Sequence, residues 1–234
     1  MRSFANIIKW DLILIYKYGI VAVAFAISGI YSISLLLANT EGMEKLVAAL
    51  IFSDPVMYGF LFTAIMILFE KDAQTHQVLA VTPLSINKYL WSKAFTFTLL
   101  AFVCSTIILL SASPNEFHPL LFLVAVSFSS ILFVFIGIIG VSFVNNFNQF
   151  ILLMPIVLAP VCLPFLDYFN IVESWVFYLI PTQACLLLFT ASISTIEIWQ
   201  LIYSIVYLII CNWACYKLAV RLYKKRILKT SRDE

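Results

Sequence analysis

Charge is what this 234-residue sequence has least of: Asp, Glu, Lys and Arg make up 11% of it, against about a quarter of an ordinary soluble domain. With 63% of its residues apolar and a mean hydropathy of +1.04, it has no polar shell to spread over a soluble fold. Stretches such as Tyr18 to Ala38 and Phe95 to Ser111 hold no charge at all, over lengths near the roughly 20 residues that cross a bilayer as a helix. A secreted or cytosolic enzyme is excluded. No segment alternates polar and apolar residues as the strands of a membrane barrel do, so the spans are helices.

Residues that carry metal or acyl chemistry are equally scarce. The only histidines are His76 and His118, which fall on opposite sides of the bilayer in the topology below. The five cysteines sit in apolar runs with no CxxC or Cys/His spacing, and read as small hydrophobes rather than metal ligands. There is no DxxxD or HxxxH, and no GxxxxGK[ST] loop that cradles phosphates, so no cofactor is expected in this chain. Met1 to Lys17 carries Arg2, Lys9, Asp11 and Lys17, lacks the apolar core and cleavage site of a signal peptide, and is expected to stay in the mature protein.

What the sequence does have is patterned. Wound as a helix, residues 2–17 put Phe4, Ile7, Ile8, Leu12 and Ile15 on one side and Arg2, Asn6, Lys9 and Lys17 on the other, which predicts an interfacial helix. Asp11 and Ile13 break that stripe, and a cytosolic extension of the first span is the competing reading. Six spans follow, at 18–38, 46–69, 93–113, 119–143, 149–166 and 196–220. With the N-terminus inside, every one of the 14 Lys and Arg except Lys45 lies in an inner segment, so the positive-inside rule places both termini in the cytoplasm. The expected location is a bacterial inner membrane. The expected fold is therefore all-α, a single transmembrane domain over 1–234 with a basic cytoplasmic tail at 221–234 that anchors the topology.

Two connections are long. The outer one, 167–195, contains an amphiphilic stretch broken by Pro181 and too short for two further spans, which predicts a pair of short re-entrant helices. The inner one, 70–92, mixes charges with Val78, Leu79 and Leu84 and is too apolar for a linker. Within the spans Asp54 is the one carboxylate, followed by Pro55. The pair marks a kink, a boundary between a short outer helix and the span, or a turn near the interface, and Asp54 is the candidate pathway residue. Asn145, Asn146, Asn148 and Gln149 read as a polar turn.

The segment from Leu68 to Lys93, LFEKDAQTHQVLAVTPLSINKYLWSK, resembles the loop after the second span of ABC-2 type transporter permeases, at Glu70, Thr75, Leu79, Thr82, Pro83, Leu84, Tyr89, Leu90 and Lys93. Gln74 and His76 stand where that pattern has Gly and Leu. Asp54-Pro55 ahead of Gly59-Phe60 also resembles the branch that includes the fluoroquinolone-export permeases. The resemblance implies two six-span units, identical or related, pairing in the membrane, and two separate cytosolic ATPase subunits that bind the ATP and Mg. It also implies that 70–92 is the ATPase-coupling loop. Glu70, Lys71, Asp72 and Gln77 are then available for polar contacts and Val78, Leu79 and Leu84 for insertion into a groove, Thr75 belongs to the same coupling set, and Pro83 restricts Thr82 to extended backbone and can start the next helix. The implied function is an exporter of a hydrophobic or amphipathic substrate, a drug, lipid or lipid-linked molecule, and not an enzyme. A haem-exporter-like permease shares the plan, with His118 as its one candidate axial ligand. A membrane-embedded lipid-modifying enzyme is the alternative from another class.

Overall fold

The computed structural model describes residues 2–38, 43–73, 85–112 and 117–227. Among these, α1 (Arg2–Lys17) leads through Gly19, whose φ of 73° reverses the chain in a region glycine enters freely, into α2 (Ile20–Leu37). Span two is α3 (Glu44–Val56), a π-helical turn (Met57–Phe62) and α4 (Thr63–Asp72). Then come α5 (Ile86–Ala112), α6 (Pro119–Val141) and α7 (Phe147–Cys162), which runs into the short α8 (Pro164–Tyr168). A 3₁₀ turn (Trp175–Leu179), α9 (Pro181–Ile193) and α10 (Ile198–Leu222) with a closing π turn (Tyr223–Ile227) complete the described chain. Six helical stretches are long and apolar enough to cross a membrane, and no strand occurs among the described residues. This is an all-α multi-pass membrane protein.

Span three begins at Ile86 rather than at Lys93, seven residues before the sequence boundary. The boundary was set by charge, and Lys93 is neutralised inside the bundle, so it does not end the helix. Pro55 lies within α3 rather than at its boundary. Its missing N–H frees the carbonyl one turn back, and the helix widens into the π turn directly after it.

α6 is the centre, packed against α5, α9, α10, α4 and the π turn of span two. It has no charged residue and faces its neighbours with small side chains such as Ala125, Ser129, Ser130 and Gly137, which let helices approach closely without hydrophobic help from water. The tightest approach is backbone on backbone. A Cβ on Gly137 would lie 2.6 Å from the Phe60 carbonyl oxygen, and one on Gly59 would lie 2.8 Å from the Phe133 Cβ. Asn212 of α10 donates to the Phe128 carbonyl of α6 at 3.1 Å, a cross-helix bond in an apolar setting. α7 is peripheral, with Phe150 its one buried side chain and Pro155 and Pro160 in its interior. Asn146 caps α7 by accepting from the Gln149 N–H, while Gln149 accepts from the Asn145 N–H, so this amide cluster serves as a helix cap.

The segment after α8 descends into the bundle and returns. Tyr207, about 14 Å along α10 from its first residue, donates to the Leu179 carbonyl just before Pro181 opens α9. At the other end of α9, Ser192 accepts from the His118 N–H at the start of α6. The almost wholly buried α9, about 20 Å long at 1.5 Å per residue, is too short to span.

Candidate functional site

Three polar features interrupt the apolar bundle. The first lies at the end where the described chain begins and finishes, and joins α1, α4 and α5. Lys93, with no exposed surface, places its Nζ 2.7 Å from Asp11 Oδ1 and in an ion pair with Glu70 Oε1. Ser92 donates to the other Asp11 oxygen and Tyr89 to the other Glu70 oxygen. All four carboxylate oxygens thus receive a donor, which is the condition for burying such charges. Tyr223, from the turn after α10, packs its ring 5.2 Å from that of Tyr89. Asp11 is raised above its ordinary value by burial, partly offset by Lys93.

This cluster closes the inner connection. Glu70 precedes and Lys93 follows it, so their ion pair holds its two ends together while Asp11 ties both to α1. Glu70 and Lys71 are both engaged within the chain: Glu70 is 4% exposed, and Lys71 donates to the carbonyls of Val141 and Val144, each at 2.9 Å, closing the C-terminal end of α6. Asp72, the next residue, is exposed. Thr75, Gln77, Val78, Leu79, Thr82, Pro83 and Leu84 lie outside the described residues. Sequence reasoning missed Asp11 and Lys93 as a pair. The signal was there in Asp11, which sits on the apolar face of an amphipathic helix.

The second feature is Asp54, 1% exposed in span two. The hydroxyls of Tyr58, Ser105 and Ser28 surround its carboxyl, yet neither oxygen is in hydrogen-bonding geometry with any of them. Tyr58 donates instead to the Ala24 carbonyl at 3.2 Å and pairs with Ser28 Oγ at 2.9 Å.

The third is a cavity of about 710 Å³ at the opposite end, between the start of span two and the re-entrant segment. Glu44, Lys45, Asp167, Tyr178, Gln183 and Glu197 are among its lining. Gln183, at the start of α9, donates to Asp167 Oδ2 at 2.7 Å, and Lys45 donates to the Tyr168 carbonyl at 3.0 Å. Pro181 starts α9 and so aims Gln183 into this space.

A membrane bundle with a tied connection between spans two and three, a lone buried acid and a polar cavity at the far end has the parts of a transporter and no catalytic constellation among its described residues. The family model described as the fluoroquinolones export permease protein family matches residues 2–231. The chain belongs to that family. It is 26% identical over 184 residues to the fluoroquinolones export permease protein of Mycobacterium tuberculosis, in strains CDC 1551 / Oshkosh and H37Rv, covering 76% of each chain. It is thus an export permease subunit, a transport component rather than an enzyme, and the resemblance first seen in the stretch from Asp54 to Lys93 extends over nearly the whole sequence.

Proposed function

We propose that this permease is the membrane subunit of an ATP-binding-cassette exporter for amphipathic drugs. In this reading its termini lie in the cytoplasm of a bacterium, two copies or a copy and a relative pair in the inner membrane, and a separate cytosolic ATPase docks on the connection between spans two and three. The observation that carries the reading is the Lys93 cluster: it clamps both ends of that connection and ties them to α1, so that a push on the connection reaches two spans and the interfacial helix together. Glu70 then anchors the coupling loop, and contact with the ATPase falls to Asp72 and to the stretch that includes Val78 and Leu79. The positive-inside asymmetry supports the orientation. ATP and Mg belong to the partner, since this chain has no phosphate-cradling loop.

The test is co-purification with the ATPase encoded beside this permease, together with accumulation of a fluoroquinolone in cells. Changing Val78 and Leu79 together to Asp is expected to release the ATPase and abolish efflux while the permease still inserts and elutes as a monodisperse species. Retention of the partner at the wild-type level with efflux intact would falsify the coupling role.

A further inference from the structure

We propose that Asp54 is a proton-binding site inside the membrane, neutral while α2 and α5 close over it and ionised only when they part. The argument is an accounting of donors. A carboxylate accepts at several lone pairs, and in an apolar interior each needs a donor or a countercharge. Tyr58 Oη lies 3.2 Å from the Ala24 carbonyl, to which it donates, and 2.9 Å from Ser28 Oγ, so the two hydroxyls are engaged with that carbonyl and with each other rather than with Asp54. Both hydroxyls are therefore spent. Ser105, fully buried and without a partner of its own, is the one uncommitted donor beside the acid.

One donor cannot satisfy an ionised carboxylate, and no cation among the described residues stands nearby to do it. The titratable groups that face Asp54 are Tyr58 on its own helix and Cys104 on α5, whereas α2 contributes Ser28. α6 carries no titratable residue, and α9 carries only Cys185, which faces Ser129. The Lys93 cluster is sixteen residues further along the span at Glu70, roughly 24 Å at 1.5 Å per residue.

A neutral acid resolves the same surroundings with one added proton. A small rotation of the side chain brings its O–H to a lone pair of Tyr58 or Ser105 and its carbonyl oxygen to the Ser105 hydroxyl, which has no partner in the arrangement described. The proton is gained from water and lost to water without any other group changing, so the step balances as carboxylic acid against carboxylate plus proton. The place in the chain suits reversible access. Pro55 and the π turn that follows it are where helix hydrogen bonding is already weakest, and the covering helix α2 is largely exposed on its other side. Release therefore requires only that α2 or α5 move, with the α6 contact at Gly59 and Gly137 left in place.

The experiment is infrared spectroscopy of the purified permease in lipid nanodiscs, titrated through neutral and alkaline pH, for wild type and Asp54→Asn. A carboxylic-acid carbonyl band that persists at neutral pH in wild type, vanishes on alkaline titration and is missing from Asp54→Asn is the expected result. Ser105→Ala is expected to shift the frequency of that band, and it serves alone if Asp54→Asn does not fold. Identical spectra of wild type and both variants at neutral pH would overturn the proposal. So would a midpoint that moves with sodium at constant ionic strength, which would assign the hydroxyls to an alkali cation instead. The measurement needs neither ATPase nor transport, so its failure leaves the export reading standing.

Discussion

Asp54 and Glu70 lie on the same span, each almost fully buried, and they differ in what surrounds them. Glu70 has Lys93 and Tyr89 on its two oxygens, and Lys93 in turn has Asp11. Asp54 has hydroxyls beside it, none in hydrogen-bonding geometry with its oxygens, and no countercharge. Burial of charge is thus met in two ways within one helix: by a countercharge brought from another helix at the terminal end, and by a proton in the middle. A paired site fixes elements to each other, because separating them strands charges. A protonated site holds nothing in place and is free to change state. The difference assigns rigidity to the end where the connection between spans two and three is clamped, and adjustability to the interior.

The largest expected effect comes from breaking the paired end. Lys93→Met leaves two buried carboxylates without a cation and is expected to cost about 3–5 kcal/mol, read as a lowered melting temperature in detergent. Adding Asp11→Asn and Glu70→Gln to the same protein is expected to restore most of the loss, and a triple variant no more stable than Lys93→Met would break the comparison. Next is the contact between the two sites, where Gly137→Ala drives a methyl into the Phe60 backbone and is expected to cost about 1–3 kcal/mol. Gly29→Ala, where a Cβ meets nothing within 4 Å, is the control and should melt with wild type.

A smaller effect concerns Asp11. Its folded value is raised, so the fold favours the protonated form, and that contribution is present in acid and lost as pH rises past the ordinary carboxylate range. The melting temperature of wild type is therefore expected to fall, relative to that of Asp11→Asn, as pH rises through the mildly acidic range. A difference between the two that is flat with pH would mean that Lys93 outweighs burial. The smallest effect is expected at Asp54→Asn, less than about 1 kcal/mol, because an amide reproduces the shape and hydrogen bonding of a neutral acid. A gain of several degrees instead would mean that the native group is charged.

Much of this architecture was legible in the sequence because membrane spans announce themselves by length and apolarity alone. A short apolar helix between the last two spans was also readable, since the stretch is too short to cross and Pro181 marks where its helix starts. The error at the start of span three had a physical source: Lys93 was treated as solvated when its charge is cancelled by residues 82 and 23 positions away in sequence. Pairings of that kind leave only indirect traces, such as Asp11 on an apolar helix face. The π turn left a trace in Pro55 but not its form, and the backbone contact at Gly137 left none, since a glycine in an apolar run does not say which helix presses against it.

The clamp also sorts the lysines at the terminal end by their chemistry toward reagents. Lys71 and Lys93 hold their nitrogens against carbonyls and carboxylates inside the bundle, while Lys9, Lys17 and Lys88 stand in the open. An amine-acylating probe applied to the intact permease is therefore expected to mark Lys9, Lys17 and Lys88, together with the exposed Lys217, Lys224 and Lys225 of α10 and its closing turn, and to pass over Lys71 and Lys93. Lys71 and Lys93 become reactive only when the joint between α1, α4, α5 and α6 comes apart, which makes acylation at those two nitrogens a chemical record of whether that joint opens during a transport cycle.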